Sequence, residues 1–128
     1  MSAMLDGLSV LLLEDEFLIA MDVEQTCLDH GADAVVIART VEEAEQALAT
    51  TRFDAAIVDL MLAGSSTLPF AAGLASRAVP FIFASGYSDP QELERAFPGV
   101  AVVTKPFAGD DLIEALALAC GRHSGADA

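Results

Sequence analysis

The sequence predicts a single α/β domain, a five-stranded parallel sheet with helices on both faces, and three observations carry that prediction. Five short apolar runs, within "LSVLLLEDE", "DAVVIA", "FDAAIVDLML", "VPFIFASGY" and "GVAVVTKPF", lack the apolar-polar alternation of a half-wet strand, so each reads as a strand covered on both sides. Stretches with helical spacing separate them, and strands alternating with helices require right-handed crossovers and a layer of helices on each face. At 128 residues the chain is the size of one domain, and a hydrophobic fraction of 54% supplies enough apolar surface to offset the entropy of ordering.

The elements follow in order. "LSVLLLEDE" is a first strand stopped abruptly by acids. From Glu16 to about Leu28, the residues Phe17, Ala20, Met21, Val23, Glu24 and Cys27 mix apolar and polar at helical spacing, with Gly31 as the C-cap. "DAVVIA" is the second strand. In "TVEEAEQALAT", Thr40 with Glu43 three residues later forms a capping-box pattern that starts the second helix. The third strand runs from Ala55 to about Leu60 and leads into a loop at "AGSS", after which Pro69 opens a third helix in "LPFAAGLASR". "VPFIFASGY" holds the fourth strand and a small-residue turn. A short fourth helix lies between Pro90 and Pro98, the fifth strand lies in "GVAVVTKPF", and "DDLIEALALAC" is a last helix closed by Gly121. The expected organisation is an extension over residues 1–7, the domain over 8–120, and a disordered polar tail over 121–128.

Charge and composition exclude several classes of function. Twenty acidic residues against six basic ones leave a formal charge of −14, which repels nucleic-acid phosphates and anionic lipid, so the expected partners are proteins or cations. No apolar stretch approaches the ~18 to 20 residues of a membrane span, and "MSAMLDG" lacks the basic start and apolar centre of a signal peptide; the expected location is cytoplasmic. Cys27 and Cys120 lack metal-type spacing and read as reduced thiols in or near helices. His30 and His123 read as a helix-end and a tail residue. The glutamates at 42, 43, 45, 92 and 94 read as wet helix faces.

In an open parallel sheet, ligands bind beyond the carboxyl ends of the strands. The first strand delivers Glu14 and Asp15 there, the third Asp59, the fourth Ser85 and Gly86, and the fifth Lys105, the only lysine in the chain. With the first and third strands adjacent, three carboxylates converge, which is unfavourable unless a cation is bound or a proton is shared. Oxygen donors of this kind suit magnesium (Mg2+). A carboxylate beside magnesium, faced by a hydroxyl and an ammonium, is the set of parts needed to attack, hold and neutralise a phosphoryl group. Asp59 is then the nucleophile, Ser85 a hydrogen-bond donor to one phosphoryl oxygen, and Lys105 the counter-charge to another. No G-x-x-x-x-G-K, G-x-G-x-x-G or G-x-S-x-G run exists, and a dehalogenase-type phosphatase needs a second acid where Met61 stands.

The ordered fragments "LLLEDE", "AAIVDLML", "FIFASGY" and "VVTKPF" resemble the receiver domain of two-component response regulators, from Leu8 to Cys120. The resemblance implies a flavodoxin-like strand order 2-1-3-4-5, Glu14, Asp15 and Asp59 as magnesium ligands, Asp59 as phosphoacceptor, Ser85 and Lys105 as its catalytic partners, and a bond from Lys105 to Pro106 that is usually cis in the family. It also implies a single-domain regulator that is not an enzyme in the ordinary sense, receives phosphoryl from a histidine kinase, and signals by protein binding or as a phosphate sink.

Two departures stand out. Typical receivers have a proline where this chain has Ala63, followed by Gly64, and an aromatic switch residue where it has Val102. Phe83, Ala84, Ser85, Gly86 and Tyr87 instead match a Phe-Ala-Thr/Ser-Gly-Tyr subgroup, often stand-alone and paired with HWE-related kinases. The expectation is that Tyr87, beside Gly86, serves as switch or partner contact together with Gly86 and Pro106. The alternative reading is a receiver-fold interaction module that binds partners without efficient phosphorylation.

Overall fold

The computed structural model describes residues 4–86, 90–105 and 109–121. Its elements in chain order are β1 (Ser9–Leu13), α1 (Phe17–Asp29), β2 (Ala34–Ala38), α2 (Val41–Thr50), β3 (Ala55–Asp59), β4 (Met61–Leu62), β5 (Ser65–Ser66), α3 (Leu68–Ser76), β6 (Phe81–Ser85), α4 (Pro90–Ala96), β7 (Val102–Thr104) and α5 (Gly109–Ala119). Five strands form one parallel sheet in the order β2-β1-β3-β6-β7. Counted along the chain within that sheet, this is the expected 2-1-3-4-5 order. β4 and β5 form a separate antiparallel hairpin where the sequence reading placed only a loop.

The absence of alternation in the strands has its reason in two cores, one on each face. Val10 and Leu12 of β1, Ala55 and Ile57 of β3, and Ile82 and Ala84 of β6 pack with α1 and α5, through Ala20, Val23, Cys27, Leu112, Ile113 and Leu116. The intervening Leu11, Leu13, Ala56, Val58, Phe81 and Phe83 pack on the other face with α2, α3 and α4, through Ala44, Phe70, Ala71, Leu74 and Leu93. Successive side chains on a strand point to opposite faces, so a strand covered twice must be apolar throughout. Edge-to-face contacts among Phe81, Phe83 and Phe97, with centroids 5.4 to 5.8 Å apart, fill the second core between β6 and α4.

Local signals act as their chemistry requires. The Thr40 hydroxyl accepts from the Glu43 N–H at 3.0 Å, while the Glu43 carboxylate reaches back to the Arg39 N–H, one residue beyond the usual capping-box partner. Pro69 sits in the first turn of α3. Cys27 and Cys120 are free thiols, and burial pushes the Cys27 thiol up to about 12.

Residues 4–7 are bound to the domain. The Leu5 N–H donates to the His30 carbonyl and the Gly7 N–H to the Gly31 carbonyl, both at 3.0 Å, and the Leu5 side chain is fully buried in the α1/α5 core. Gly31 has φ +97°, and a β-carbon there would come within 3.0 Å of the Asp6 backbone, so this crossing requires glycine. Leu5→Ala is therefore expected to cost about 2–5 kcal/mol in denaturant unfolding, as for any fully buried leucine; a loss of a few tenths would show that these residues lie outside the cooperative unit.

Candidate functional site

The register of the sheet sets the site. Leu13 pairs with Val58, which puts Glu14 and Asp59 one residue further along two adjacent parallel strands, and Asp59 pairs with Ala84. Ser85 pairs with Thr104, and the Lys105 N–H donates to the Ser85 carbonyl at 2.7 Å, continuing the ladder past β7. Four strand ends thus deliver Glu14, Asp59, Ser85 and Lys105 to one rim, and Asp15 follows Glu14 in the turn before α1. Glu14, Asp59 and Ser85 are buried, unlike most polar residues here.

Lys105 closes the ring. Its Nζ lies 2.9 Å from Glu14 Oε1 and 3.1 Å from Asp59 Oδ2. The second oxygen of Glu14 accepts from the Glu16 N–H at 3.0 Å, and Asp59 Oδ1 accepts from the Met61 N–H at 3.3 Å. Asp15 Oδ2 accepts from the Ala63 N–H at 3.1 Å. The three carboxylates each bring an oxygen within 4.8 Å of the others. Hard oxygen donors at this spacing fit a small divalent cation such as magnesium, and among the described residues no nitrogen or sulfur ligand of the softer metals joins the cluster.

The electrostatics are those of two buried carboxylates sharing one ammonium. Burial pushes the Asp59 carboxyl from 3.8 up to about 6; the Lys105 hydrogen bond pulls against this and the charge of Glu14 adds to it. Burial also pulls the Lys105 ammonium down, but its hydrogen bonds to Glu14 and Asp59 outweigh that and hold it above the ordinary lysine value.

One contributor was not foreseen. The buried Thr67 hydroxyl lies 2.6 Å from the Asp59 carbonyl and 3.0 Å from that of Leu60, and the Thr67 N–H donates to Leu60 as well. Thr67 stands at the N-cap of α3 without capping it, its hydroxyl being committed to the backbone at the end of β3. A threonine just before a helix-opening leucine-proline reads as a cap, so the sequence carried no signal for this role. Of the residues expected to act as switch or partner contacts, Gly86 is exposed beyond β6. Tyr87 and Pro106 lie outside the described residues. Val102 is half-buried and packs in the α2/α3/α4 core.

The carboxylate rim at the ends of a 2-1-3-4-5 parallel sheet agrees with the sequence comparison, in which residues 10–117 match the response regulator receiver domain. The chain belongs to that family. Receiver domains act in two-component signalling with histidine kinases and hold magnesium in an acidic pocket, and the cluster of Glu14, Asp15 and Asp59 has the composition of such a pocket. This receiver domain is 31% identical over 116 residues to the transcriptional regulatory protein PdtaR of Mycobacterium tuberculosis, covering 88% of this chain and 57% of PdtaR. Among solved structures, it is similar to a mutant form of the anti-anti-sigma factor PhyR from Bartonella quintana, with TM-score 0.78 and 31% identity over 90% of this chain and 49% of that one. It is also similar to the receiver domain of Erythrobacter litoralis PhyR, with TM-score 0.73 and 27% identity over 96% and 97%. The chain thus spans about half the length of PdtaR and of the Bartonella PhyR. Among the described residues, no helix is long and apolar enough to cross a membrane.

The site's geometry sets two expected outcomes. Between pH 3.8 and about 6, folded receiver holds a proton on Asp59 that the unfolded chain has released, so this carboxyl's contribution to stability is full at low pH and is lost as pH rises through about 6. In magnesium-free buffer, Asp59→Asn is expected to melt higher than the parent at about pH 7.5 and by a smaller margin at about pH 5; equal margins would remove ionisation as the cause. Thr67→Val, which keeps shape and deletes the buried hydroxyl, is expected to cost about 1–3 kcal/mol in denaturant unfolding.

Proposed function

We propose that this receiver takes a phosphoryl group from a histidine kinase onto Asp59 in a magnesium-dependent reaction, and signals through a change in its affinity for another protein or by draining a shared kinase. The single observation that carries this reading is Lys105 Nζ held between Glu14 and Asp59 at the rim where Asp15 and Ser85 also lie. Glu14, Asp15 and Asp59 would hold the magnesium, which when bound supplies charge neutralisation to the transferring phosphoryl group.

The protein's own part is positioning. Asp59 Oδ1 accepts from Met61 N–H and Oδ2 from Lys105 Nζ, so the carboxylate is fixed at the strand end with its orientation set. As one of its oxygens forms the new bond to phosphorus and the donor's bond to phosphorus breaks, the carboxylate charge disappears and the incoming phosphoryl oxygens carry the negative charge instead. Lys105, already within 3.1 Å, follows that charge outward, and the buried Ser85 hydroxyl donates to another phosphoryl oxygen. Raised affinity of Asp59 for a proton, set first by burial, marks the same demand: the site disfavours a bare carboxylate here and accepts its conversion to an acyl phosphate, whose charge lies further out on the phosphoryl oxygens.

The charge of −14 and the likeness to PhyR, an anti-anti-sigma factor, support a protein rather than a nucleic acid as the downstream target. The Phe83 to Tyr87 signature supports an HWE-related kinase as the phosphodonor, and the cytoplasm is where such a kinase would meet it. Intact mass after incubation with acetyl phosphate tests the chemistry. A gain of one phosphoryl group that requires both magnesium and Asp59, and is absent in Asp59→Asn, is the expected result. No adduct and no phosphate release in the parent protein would leave it an interaction module built on the receiver fold.

A further inference from the structure

The β4–β5 hairpin lies across the acidic site and joins its parts. Met61 pairs with Ser66 and Leu62 with Ser65, leaving Ala63 and Gly64 as a two-residue tip with φ +51° and +84°. Positive φ at both central residues is what a type I′ hairpin turn requires, and it is unusual for alanine. The base of the hairpin is pinned to the Asp59 and Leu60 carbonyls by Thr67. From its first strand and its tip, two N–H groups two residues apart reach two different carboxylates, Met61 to Asp59 and Ala63 to Asp15.

The three carboxylates are not held alike. Glu14 and Asp59 each have Lys105 and a backbone N–H as donors. Among the described residues, Asp15 has the Ala63 N–H alone. Asp15 also sits beyond the strand, in a turn, and is less buried than Glu14 and Asp59.

We propose that the hairpin tip is a positioning element for the metal site, in which the Ala63 N–H, presented by a left-handed backbone, holds the Asp15 carboxylate turned toward Asp59. This rests on the reading that Glu14, Asp15 and Asp59 hold magnesium. One Asp15 oxygen is occupied by the hairpin, which orients the other for the cation, as outer-sphere donors orient metal ligands elsewhere. Proline, the residue typical receivers carry at this position, is incompatible with the arrangement: it has no N–H, and its ring holds φ at about −65°. Glycine keeps the N–H and accepts the turn without strain.

Magnesium alone, titrated by calorimetry into the full chain, tests the proposal. Ala63→Pro is expected to bind magnesium about 10-fold more weakly than the parent, and Ala63→Gly within about two-fold of it. Equal affinity in the parent and a folded Ala63→Pro overturns the proposal, whereas no magnesium binding by the parent itself overturns the metal reading and the proposal with it. Amide hydrogen exchange covers the case in which Ala63→Pro does not fold. The Ala63 amide is expected to exchange about 10-fold faster in Asp15→Ala than in the parent, and equal rates in the two would show that the bond is not made.

Discussion

One ammonium group between two buried carboxylates is the interaction on which the rest of this receiver depends. Glu14 and Asp59 arrive on adjacent parallel strands, and their charges would repel strongly at this depth without a cation. Lys105 supplies it from 46 and 91 residues away in sequence. The sheet order makes this possible by putting β1 and β3 side by side, with β6 and β7 beyond. The same geometry is poised rather than satisfied. Asp59 retains a raised proton affinity because burial, with the charge of Glu14 added, outweighs the pull of Lys105, and a divalent cation would relieve the excess.

Rigidity is distributed unevenly around that charge. Strand ends carrying Glu14, Asp59 and Ser85 are braced by apolar packing on both faces of the sheet, with Phe83, Ile57 and Leu12 almost wholly buried behind them. Asp15 lacks such bracing and is held by the tip of a hairpin whose own base is tied to the Asp59 backbone. The phosphoacceptor candidate and the outermost metal-ligand candidate are therefore linked through one short piece of chain, by way of Thr67, Met61 and Ala63.

Most of the main architecture was legible because its signals are redundant. A strand buried on both faces must be apolar throughout, so Leu11 to Leu13, Ala55 to Val58 and Phe81 to Ala84 announce themselves, and the polar residues that end those runs mark the rim. The pairing of Thr40 with Glu43 and the position of Pro69 located two helix starts within a residue. The hairpin was illegible for the opposite reason. Two residues per strand are too few to show a period, and Ala63 in the left-handed region runs against its own preference. Leu5 follows Met4 and precedes Asp6 and Gly7 in a stretch too short to show a period, and nothing local distinguishes a buried leucine from an exposed one. Thr67 carried the mark of a helix cap while its hydroxyl serves the end of β3.

Local patterning, acting over a few residues at a time, was enough to settle the alternation of strands and helices, the two-sided burial of the sheet, and the identity of the acids, hydroxyl and lysine at the strand ends, because each depends on side-chain period and polarity along a short stretch. Which carboxylate oxygen meets which donor, how far the proton affinity of Asp59 rises, and that a backbone N–H at residue 63 holds the carboxylate of residue 15 depend on distances of about 3 Å between segments tens of residues apart. Those distances come from packing two helical layers on a twisted sheet, and no stretch of sequence encodes them locally.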